Sequence, residues 1–453
     1  MKQSTPEPRP GAKPESKPKR ADNRQRGVAL IAASVAMAIV SAVVVEFATN
    51  TNVDIYAAKS AELDMKAHFL ARSGMNIAEL VIKLQERVDN LPEEQGGGGS
   101  IQIADFLEQI IGAFGGSKEE RDAWAELVGG ISADEIKGLG VPEGEFSLQI
   151  TTEDNKININ CASPSGTTSS EKKSVAFQLL NLIFLDAYDP IFEKEDAERW
   201  RRDRQTQVKA IIDYVDADNY IYEWEEGLVA RIREDYGYET LSDKYKPKEK
   251  KLDTAGEIRQ IRGIDDRFWT LFGSSLTVYG DCKINLAAVD NVGMIASLIS
   301  YARKNEEDPV VADQLKLWRL AQKVKEARDF GYSFNSVDEF IELVGDPSGG
   351  LAGFLDQQSA QGVDAPDGAE NGPPVEGVEL DKNKLNQIAK TGPRVTYRVE
   401  AVALMKHGGL NTSLEKRMVG IWDTRRPKQN TRAYGTQQVA AGDKGRWVYW
   451  RED

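Results

Sequence analysis

The stretch that decides the fold is Arg24-Gln-Arg-Gly-Val-Ala-Leu-Ile-Ala-Ala-Ser-Val-Ala-Met-Ala-Ile-Val-Ser-Ala-Val-Val-Val-Glu46. Gly27 directly precedes a run in which no charged residue occurs from Val28 to Val45. An α-helix rises about 1.5 Å per residue, so this run extends over about 27 Å, close to the roughly 30 Å of a bilayer's hydrocarbon core. The stretch therefore predicts one transmembrane helix near the N-terminus.

Charge is unevenly distributed on the two sides of this apolar run. The chain has 453 residues and a formal net charge of −14, whereas residues 1–26 hold eight Lys and Arg against three acidic residues and carry +5. The remainder therefore carries −19, and a basic head before an acidic body is typical of a head kept in the cytoplasm. Because phosphate contacts need clustered Lys and Arg, the acidic body argues against a nucleic-acid partner.

The end of the apolar run differs from that of an ordinary secretory signal. Such a signal has small residues before its cleavage site, and Val45-Glu46-Phe47 does not fit that pattern. The residues alone leave an ordinary membrane anchor or an uncleaved signal open.

We expect the helix to continue beyond the membrane, so that residues 28–90 form one spine. Its second half has apolar residues at spacings of three, four and seven, which predicts one buried face: Leu70, Ile77, Val81, Leu84 and Val88. Asn90-Leu91-Pro92 ends the pattern, because proline does not continue a helix. This amphipathic half is expected to pack against a sheet.

The rest of the chain predicts strands separated by a helical region. Phe146–Thr151 alternates apolar and polar residues as a strand does, and the apolar residues of Arg394–Met405 share one face. Leu414–Asp423 and Arg446–Arg451 are predicted to be the last two strands. Lys156–Asn160 follows a turn signal and predicts a hairpin with Phe146–Thr151, within residues 145–170. Residues 171–345 have a helical pattern. We therefore predict an α+β fold: a long N-terminal transmembrane helix packed on an antiparallel sheet, with a large all-α domain inserted between strands and the last strands in residues 393–453.

Two segments differ in composition from these units. Residues 91–144 begin with a glycine-rich linker and continue with a pattern that predicts a helical insertion. Residues 346–392 are rich in Gly, Asp, Gln and Pro and are predicted to form a flexible loop.

Two short patterns repeat in and just before the helical region. Lys156-Ile-Asn-Ile-Asn160 is echoed by Lys283-Ile-Asn-Leu286, and Asp253–Gly263 is echoed by Asn335–Gly345. Each of the longer pair opens with a capping-type residue and closes on glycine, as helices do. Such repeats indicate duplicated supersecondary units, here similar to helix-hairpin-helix units.

Four motifs in order resemble the K-type minor pseudopilins of the type II (general) secretion system. They are Arg26-Gly-Val-Ala-Leu-Ile31, the Lys-Ile-Asn-x-Asn strand end at 156–160, Ile212-Asp-Tyr-Val-Asp-Ala-Asp218, and the stretch from Glu257 through Gly280 to Asn285. The resemblance extends from Arg26 to Arg451, except for residues 96–143 and 346–392.

The resemblance implies that residues 1–27 are a cytoplasmic prepilin leader. A prepilin peptidase would cut between Gly27 and Val28 and methylate Val28. Most pilin-like proteins have a glutamate at the fifth mature position, where it neutralises the buried terminal ammonium of a neighbouring subunit; this chain has Ala32 there. A subunit without that acid is expected at the end of a filament.

The resemblance also implies an assembly protein of the bacterial inner membrane. Its N-terminus would be cytoplasmic, its bulk periplasmic, and its role the support of protein export across the outer membrane. Its implied partners are the I- and J-type minor pseudopilins at the pseudopilus tip, the prepilin peptidase, and the secreted substrate or the secretin. Small residues in the membrane helix suit close helix contact: Ala29, Ala32, Ala33, Ala36 and Ala38.

An acidic run begins in the third resemblance motif and continues beyond it. Oxygen ligands at this density suit Ca²⁺, which the family binds in its helical domain; the alternative is a solvated acidic helix end. The candidate ligands are Asp213, Asp216, Asp218, Glu225 and Glu226.

The chain has two cysteines, and each lies beside a copy of the Lys-Ile-Asn strand. If these strands are neighbours, Cys161 and Cys282 can form a disulfide outside the cytoplasm. The alternative is a pair of unpaired buried cysteines.

We expect no enzyme. The sequence has no P-loop, no His-Glu-x-x-His and no Gly-x-Ser-x-Gly, and it has only two histidines. Two other functions stay open: a minor pilin of a type IV pilus or uptake system, and a membrane-tethered binding protein with an uncleaved anchor.

Overall fold

The computed structural model describes residues 23–89, 144–163, 169–193, 203–224, 234, 236–241, 243–329, 332, 334–349, 375–406, 413–425 and 445–453. The chain divides into two compact units, residues 1–65 and 66–453. Most of the predicted leader and of the predicted helical insertion falls on residues 1–22 and 90–143, outside the described part.

The described part of the first unit is helical. Helix α1 runs from Asn23 to Asp89, and every residue from Gly27 to Asn50 is exposed. The Ser34 and Thr49 hydroxyls donate to the carbonyls of Leu30 and Val45, so these polar groups have partners within the helix. The helix is long and apolar enough to cross a membrane, as the sequence predicted.

The second unit contains a four-stranded antiparallel sheet. Its order is β1-β6-β7-β8, and the strands are Gly144–Thr152, Thr396–Lys406, Ser413–Asp423 and Arg446–Glu452. These bounds agree with the four predicted strands to within two residues. A register shift between Ile421 and Trp422 marks a bulge in the β7–β8 pairing.

The last part of α1 packs on one face of this sheet. Gly74 lies so close that an added Cβ would be 3.2 Å from the Ala401 Cβ on β6 and 3.2 Å from a ring carbon of Phe146 on β1. The side chains of the buried face of α1 in this unit are mostly small or flexible: Ala67, Leu70, Ala71, Met75, Ala78, Val81 and Ile82. Of the predicted stripe, Leu70 and Val81 are buried, whereas Leu84 is 41% exposed.

A helical region interrupts the sheet between β1 and β6, as predicted. Its α-helices among the described residues are α2 Ser169–Leu182, α3 Asp189–Phe192, α4 Arg204–Asp213, α5 Asp266–Phe272, α6 Val292–Ala302, α7 Pro309–Ala312, α8 Gln314–Asp329, α9 Val337–Gly345 and α10 Lys382–Ile388. Helix α6 is buried on nearly all sides. The region has its own large apolar core and is therefore a packed body rather than a surface loop.

The predicted hairpin of residues 145–160 is wrong. After β1 the chain forms a two-residue strand, β2 Ile157–Asn158, which pairs in parallel with β3 Leu276–Thr277. The echo at residue 284 behaves alike: β4 Ile284–Asn285 pairs in parallel with β5 Ala389–Lys390. Because Asn158 and Asn160 are buried as well as Ile157 and Ile159, this run lies inside the core and does not alternate between core and solvent as a hairpin strand does.

The flexible loop predicted for residues 346–392 is also wrong for its last part. Asp381 caps α10, and β5 follows directly. Leu380, Leu385 and Ile388 bury their side chains in the core of the helical region. The composition of residues 346–392 as a whole is polar, and it conceals the apolar spacing of these three residues near its end.

The longer repeat does form two capped helical turns. The caps are Thr254 and Ser336, one residue later than the Asp and Asn of the pattern. Glu257 and Glu339 accept from the backbone N–H groups at the two starts, which explains the shared spacing.

Candidate metal centre

The acidic cluster is built on the C-terminal end of α4. Asp213 is the last residue of the helix, and the Asp216 N–H still donates to the Ile212 carbonyl, 3.1 Å away. Both carboxylates are therefore held at the negative end of the helix dipole, where an anion is disfavoured and a cation is stabilised.

Three carboxylates converge at this point. One oxygen from each of Asp213, Asp216 and Glu234 lies within 4.8 Å of the others. Asp213 and Asp216 are buried, at 0% and 1% exposed, and Glu234 is half-buried. Buried carboxylates at such separations repel one another unless a cation or a proton compensates them.

Each carboxylate oxygen of Asp213 accepts one hydrogen bond. One carboxylate oxygen accepts from the Tyr222 N–H at 2.9 Å, and the other accepts from the Tyr236 hydroxyl at 2.5 Å. These bonds fix its orientation and still leave each oxygen a lone pair for a metal.

Other oxygens of the cluster have no donor among the described residues. The Asp216 Oδ2 accepts from Lys172 at 2.8 Å, whereas its Oδ1 is buried and unpaired. Both oxygens of Glu234 and the Oε2 of Glu249 are also buried without a donor in the described part of the chain. Buried acceptors without partners are costly, so these atoms are positioned for a ligand that supplies positive charge.

Glu249 adds a strained backbone to the cluster. Its φ is +52°, and among the described residues it is the one non-glycine residue with a positive φ. Its N–H donates to the Tyr214 carbonyl. Such strain is concentrated at functional sites.

The pKa values of the cluster rise for one shared reason. Burial raises the pKa of Asp213 to about 8, and repulsion from Asp216 adds to this despite the Tyr236 hydrogen bond. Burial and repulsion from Asp213 raise the pKa of Glu234 to about 9. Burial raises the pKa of Asp216 to about 6, although Lys172 lowers it. One ammonium is therefore too little positive charge for this group of acids.

The residues present fit a hard divalent cation. Calcium takes six to eight oxygen ligands and tolerates irregular geometry. Asp216 and Glu234 offer unpaired oxygens, Asp213 is held in place beside them, and Glu249 is close enough to raise the pKa of Glu234.

The structure places only part of the predicted ligand set here. Asp213 and Asp216 are brought together, but the Asp218 side chain is 54% exposed and lies 3.8 Å from Lys172, outside the group of three. Glu225 and Glu226 lie outside the described residues. Glu234 and Glu249 were missed, because no local pattern distinguishes them from the many surface acids of the chain.

The two cysteines are joined. Their sulfur atoms form a disulfide with a Cα–Cα distance of 5.5 Å and a sequence separation of 121. Cys161 ends the turn after β2 and Cys282 precedes β4, so the bond connects the two Lys-Ile-Asn repeats. The residues of the acidic cluster lie between the two cysteines in sequence.

The residues of the predicted processing site lie on the exposed part of α1. Gly27 has nothing within 4 Å of an added Cβ, and Val28 is 67% exposed. Ala32 lies one turn further along the same exposed helix. The described structure therefore leaves this segment free for lipid and for neighbouring helices.

Comparison with known proteins finds similarity among solved structures but not in sequence. No protein-family profile matches the chain, and no curated protein matches it in sequence. Among solved structures, it is similar to a chain of the GspK-GspI-GspJ complex from the type 2 secretion system of enterotoxigenic Escherichia coli. The identity is 12% and the TM-score 0.39, over 69% of this chain and 81% of that chain.

Proposed function

We propose that this protein is a K-type minor pseudopilin of a type II secretion system. In this role it is anchored in the inner membrane by α1, exposes its bulk to the periplasm, and caps the pseudopilus tip together with I- and J-type minor pseudopilins. The tip then supports protein export and contacts the secreted substrate or the secretin.

The observation that carries the proposal is the organisation of α1. One unbroken helix has an apolar, exposed first part and a last part that packs through Gly74 on an antiparallel sheet. An unburied apolar helix of this length needs lipid or other helices around it. The helical region inserted between β1 and β6, and the four ordered motifs, favour the K-type over a minor pilin of a type IV pilus or uptake system.

Ala32 supports a place at the tip. An unpaired ammonium in lipid is costly, and a pilin-like subunit is stabilised when the subunit next to it offers a carboxylate at the fifth mature position. This chain offers none, so nothing in its own helix neutralises the amine of a subunit stacked on it.

Processing of the N-terminus tests the proposal. The chain is expressed in cells with and without an active prepilin peptidase, and intact-mass spectrometry reads its first residue. We expect a chain that begins at methylated Val28 only when the peptidase is active, and co-purification with I- and J-type pseudopilins. Gly74→Ala is the control glycine variant that leaves processing unchanged, whereas Gly27→Leu should block it. An intact residue 1 in peptidase-positive cells supports the membrane-tethered binding protein instead.

We also propose that the acidic cluster binds one structural calcium ion through Asp213, Asp216, Glu234 and Glu249. The support is the set of buried oxygens without donors at the end of α4. The ion would neutralise the cluster and fix the segments around α4, without taking part in any reaction.

A further inference from the structure

The outer edge of β1 carries backbone groups that no strand among the described residues pairs with. The Glu153 N–H donates to the Thr396 carbonyl at 2.9 Å, which sets the hydrogen-bonding phase of the β1–β6 pairing. In antiparallel strands this phase alternates, so the N–H and C=O groups of Phe146, Leu148 and Ile150 point away from β6. No strand in the described part of the chain pairs with that side of β1.

The flank of α1 beside this edge is apolar. Gly74 faces β6 and β1, whereas Met75 lies 2.8 Å from a Cβ added to Gly420 on β7, and the His68 Nδ1 lies 3.5 Å from the Glu452 Oε2 on β8. Successive helix residues are rotated by about 100°, which puts Met75 and His68 on one side of Gly74, so the residues rotated the opposite way lie on the β1 side. These are Ile77, Leu80 and Leu84, of which Leu80 is 58% and Leu84 41% exposed.

The other edge of the sheet is protected in a way that β1 is not. Strand β8 carries a bulge and the charged residues Arg446, Arg451 and Glu452. Bulges and charges are the usual devices that prevent a sheet edge from pairing. Strand β1 has no charge between Glu145 and Glu153, and Ser147, Gln149 and Thr151 face solvent.

We propose that an extended segment of a neighbouring pseudopilin subunit adds a fifth strand to the outer edge of β1. Its backbone would pair with Phe146, Leu148 and Ile150, and its alternate side chains would pack on Ile77, Leu80 and Leu84. This inference rests on the proposed function, which supplies the neighbouring subunit.

Charge decides between the candidate occupants. The edge and the adjacent flank are uncharged, so they match a segment of alternating apolar and uncharged polar residues. A second copy of this chain would bring two bodies of −19 together, which opposes self-pairing. The partner is therefore a different pilin-like subunit, of lower negative charge on the strand that it donates.

Hydrogen exchange at single-amide resolution tests the edge directly. The full chain in detergent is compared with its complex with the I- and J-type minor pseudopilins of the same bacterium. We expect the Leu148 and Ile150 amides to exchange at least tenfold more slowly in the complex, while the Ser147 and Gln149 amides are slow in both states because they pair with β6.

Three results would overturn the inference in distinguishable ways. Slow Leu148 and Ile150 amides in the isolated chain would mean that another part of the same chain already occupies the edge. A complex in which these amides stay fast would remove the strand addition and leave the proposed function intact. Failure to form any complex would remove both.

A pair of substitutions at one position separates backbone pairing from side-chain loss. Ile150→Pro removes an N–H that faces the open edge, and proline is tolerated there because the β6 ladder does not use that group. Ile150→Ala keeps the N–H and removes the side chain. We expect Ile150→Pro to weaken the complex at least tenfold more than Ile150→Ala; equal weakening would contradict the proposal. The wild-type exchange measurement decides the question should the proline variant fail to fold.

Discussion

At the scale of single residues, the placement of Asp213 and Asp216 at the negative end of α4 makes a cation requirement measurable. We expect calcium to raise the melting temperature of the full chain, because an ion that binds only the folded state at 100 times its dissociation constant adds about 2.7 kcal/mol of stability. Asp216→Asn should abolish most of this increase, since it removes a buried ligand. Differential scanning calorimetry with calcium and with a chelator measures both.

The matched control for this prediction is Asp218→Asn. Asp218 belongs to the same acidic run but its side chain is largely exposed and lies outside the group of three. Its variant should keep the full calcium response. Equal responses of wild type and Asp216→Asn, or no effect of chelator on wild type, would remove the calcium assignment.

Glu153 gives a second residue-scale prediction, with a defined pH dependence. It is 1% exposed and accepts from Lys156 and Arg398, each at 2.8 Å, and from the Thr277 hydroxyl. Burial raises its pKa, but Lys156 and Arg398 outweigh burial, so the net pKa is lowered. A lowered pKa in the folded state stabilises the fold above the unfolded value, and this stability is lost as the pH falls through the folded pKa.

Glu153→Gln should therefore destabilise the protein most at neutral pH. Removing one member of a buried charge network leaves the two cations uncompensated, and we expect a loss of about 3–5 kcal/mol at pH 7. The difference from wild type should shrink as the pH is lowered below about 4. Urea unfolding at several pH values measures this. Glu145→Gln, which breaks only an exposed pair with Lys406, should cost less than about 1 kcal/mol.

At this scale the sequence identifies residues that are close in the chain and misses those that the fold brings together. Asp213 and Asp216 were predicted from the density of acidic residues in one short run, and the end of α4 does bring these two carboxylates together. Glu234 and Glu249 reach the cluster through the path of the intervening chain, which no local spacing encodes. Asp218 was predicted from its proximity in sequence, and the structure places its carboxylate beside Lys172 but outside the group of three.

At the scale of elements, the contact between α1 and the sheet depends on Gly74. An added Cβ there would already lie 3.2 Å from both Ala401 and Phe146. Gly74→Leu should therefore cost about 1–3 kcal/mol, because a larger side chain must displace close-packed neighbours. Asn76→Leu, at an exposed position of the same helix, is the control and should stay within about 0.5 kcal/mol of wild type. Unchanged stability of Gly74→Leu in chemical denaturation would contradict this packing.

The sequence predicts elements well where one face is in solvent. Strands β1 and β6 alternate between buried and less buried residues, whereas Met418–Trp422 of β7 are all buried. The bounds of the four strands of the sheet were predicted to within two residues. Strands β2 and β4 have two buried residues each and no alternation. Their parallel partners β3 and β5 lie more than a hundred residues away in sequence. A local pattern indicates only neighbouring strands, and it therefore predicted that β2 pairs with β1 in a hairpin.

At the scale of the whole molecule, the fold class follows from one order of parts: helix, strand, helical region, strands. The insertion was predictable because a long helical pattern separates the predicted strand of β1 from that of β6. The bond between Cys161 and Cys282 closes the first part of that insertion, and the acidic cluster lies within the closed loop. In the loop-entropy view, a disulfide across a loop of this length removes on the order of 4–5 kcal/mol of unfolded-state entropy. The disulfide and the proposed ion would then stabilise the same segment by independent means.

Ala32 predicts how many copies of the subunit one fibre contains. With no carboxylate at this position, the chain cannot neutralise the amine of a subunit stacked upon it, so we expect one copy per pseudopilus tip. Ala32→Glu supplies the missing acid and should raise the number of copies per fibre several-fold, as measured by quantitative mass spectrometry of purified pseudopili. Ala36→Glu places the same charge one turn further into the membrane helix and should give no increase. Many wild-type copies along the shaft would show that the missing acid does not confine the subunit to the tip, because another group would then have to neutralise the buried amine.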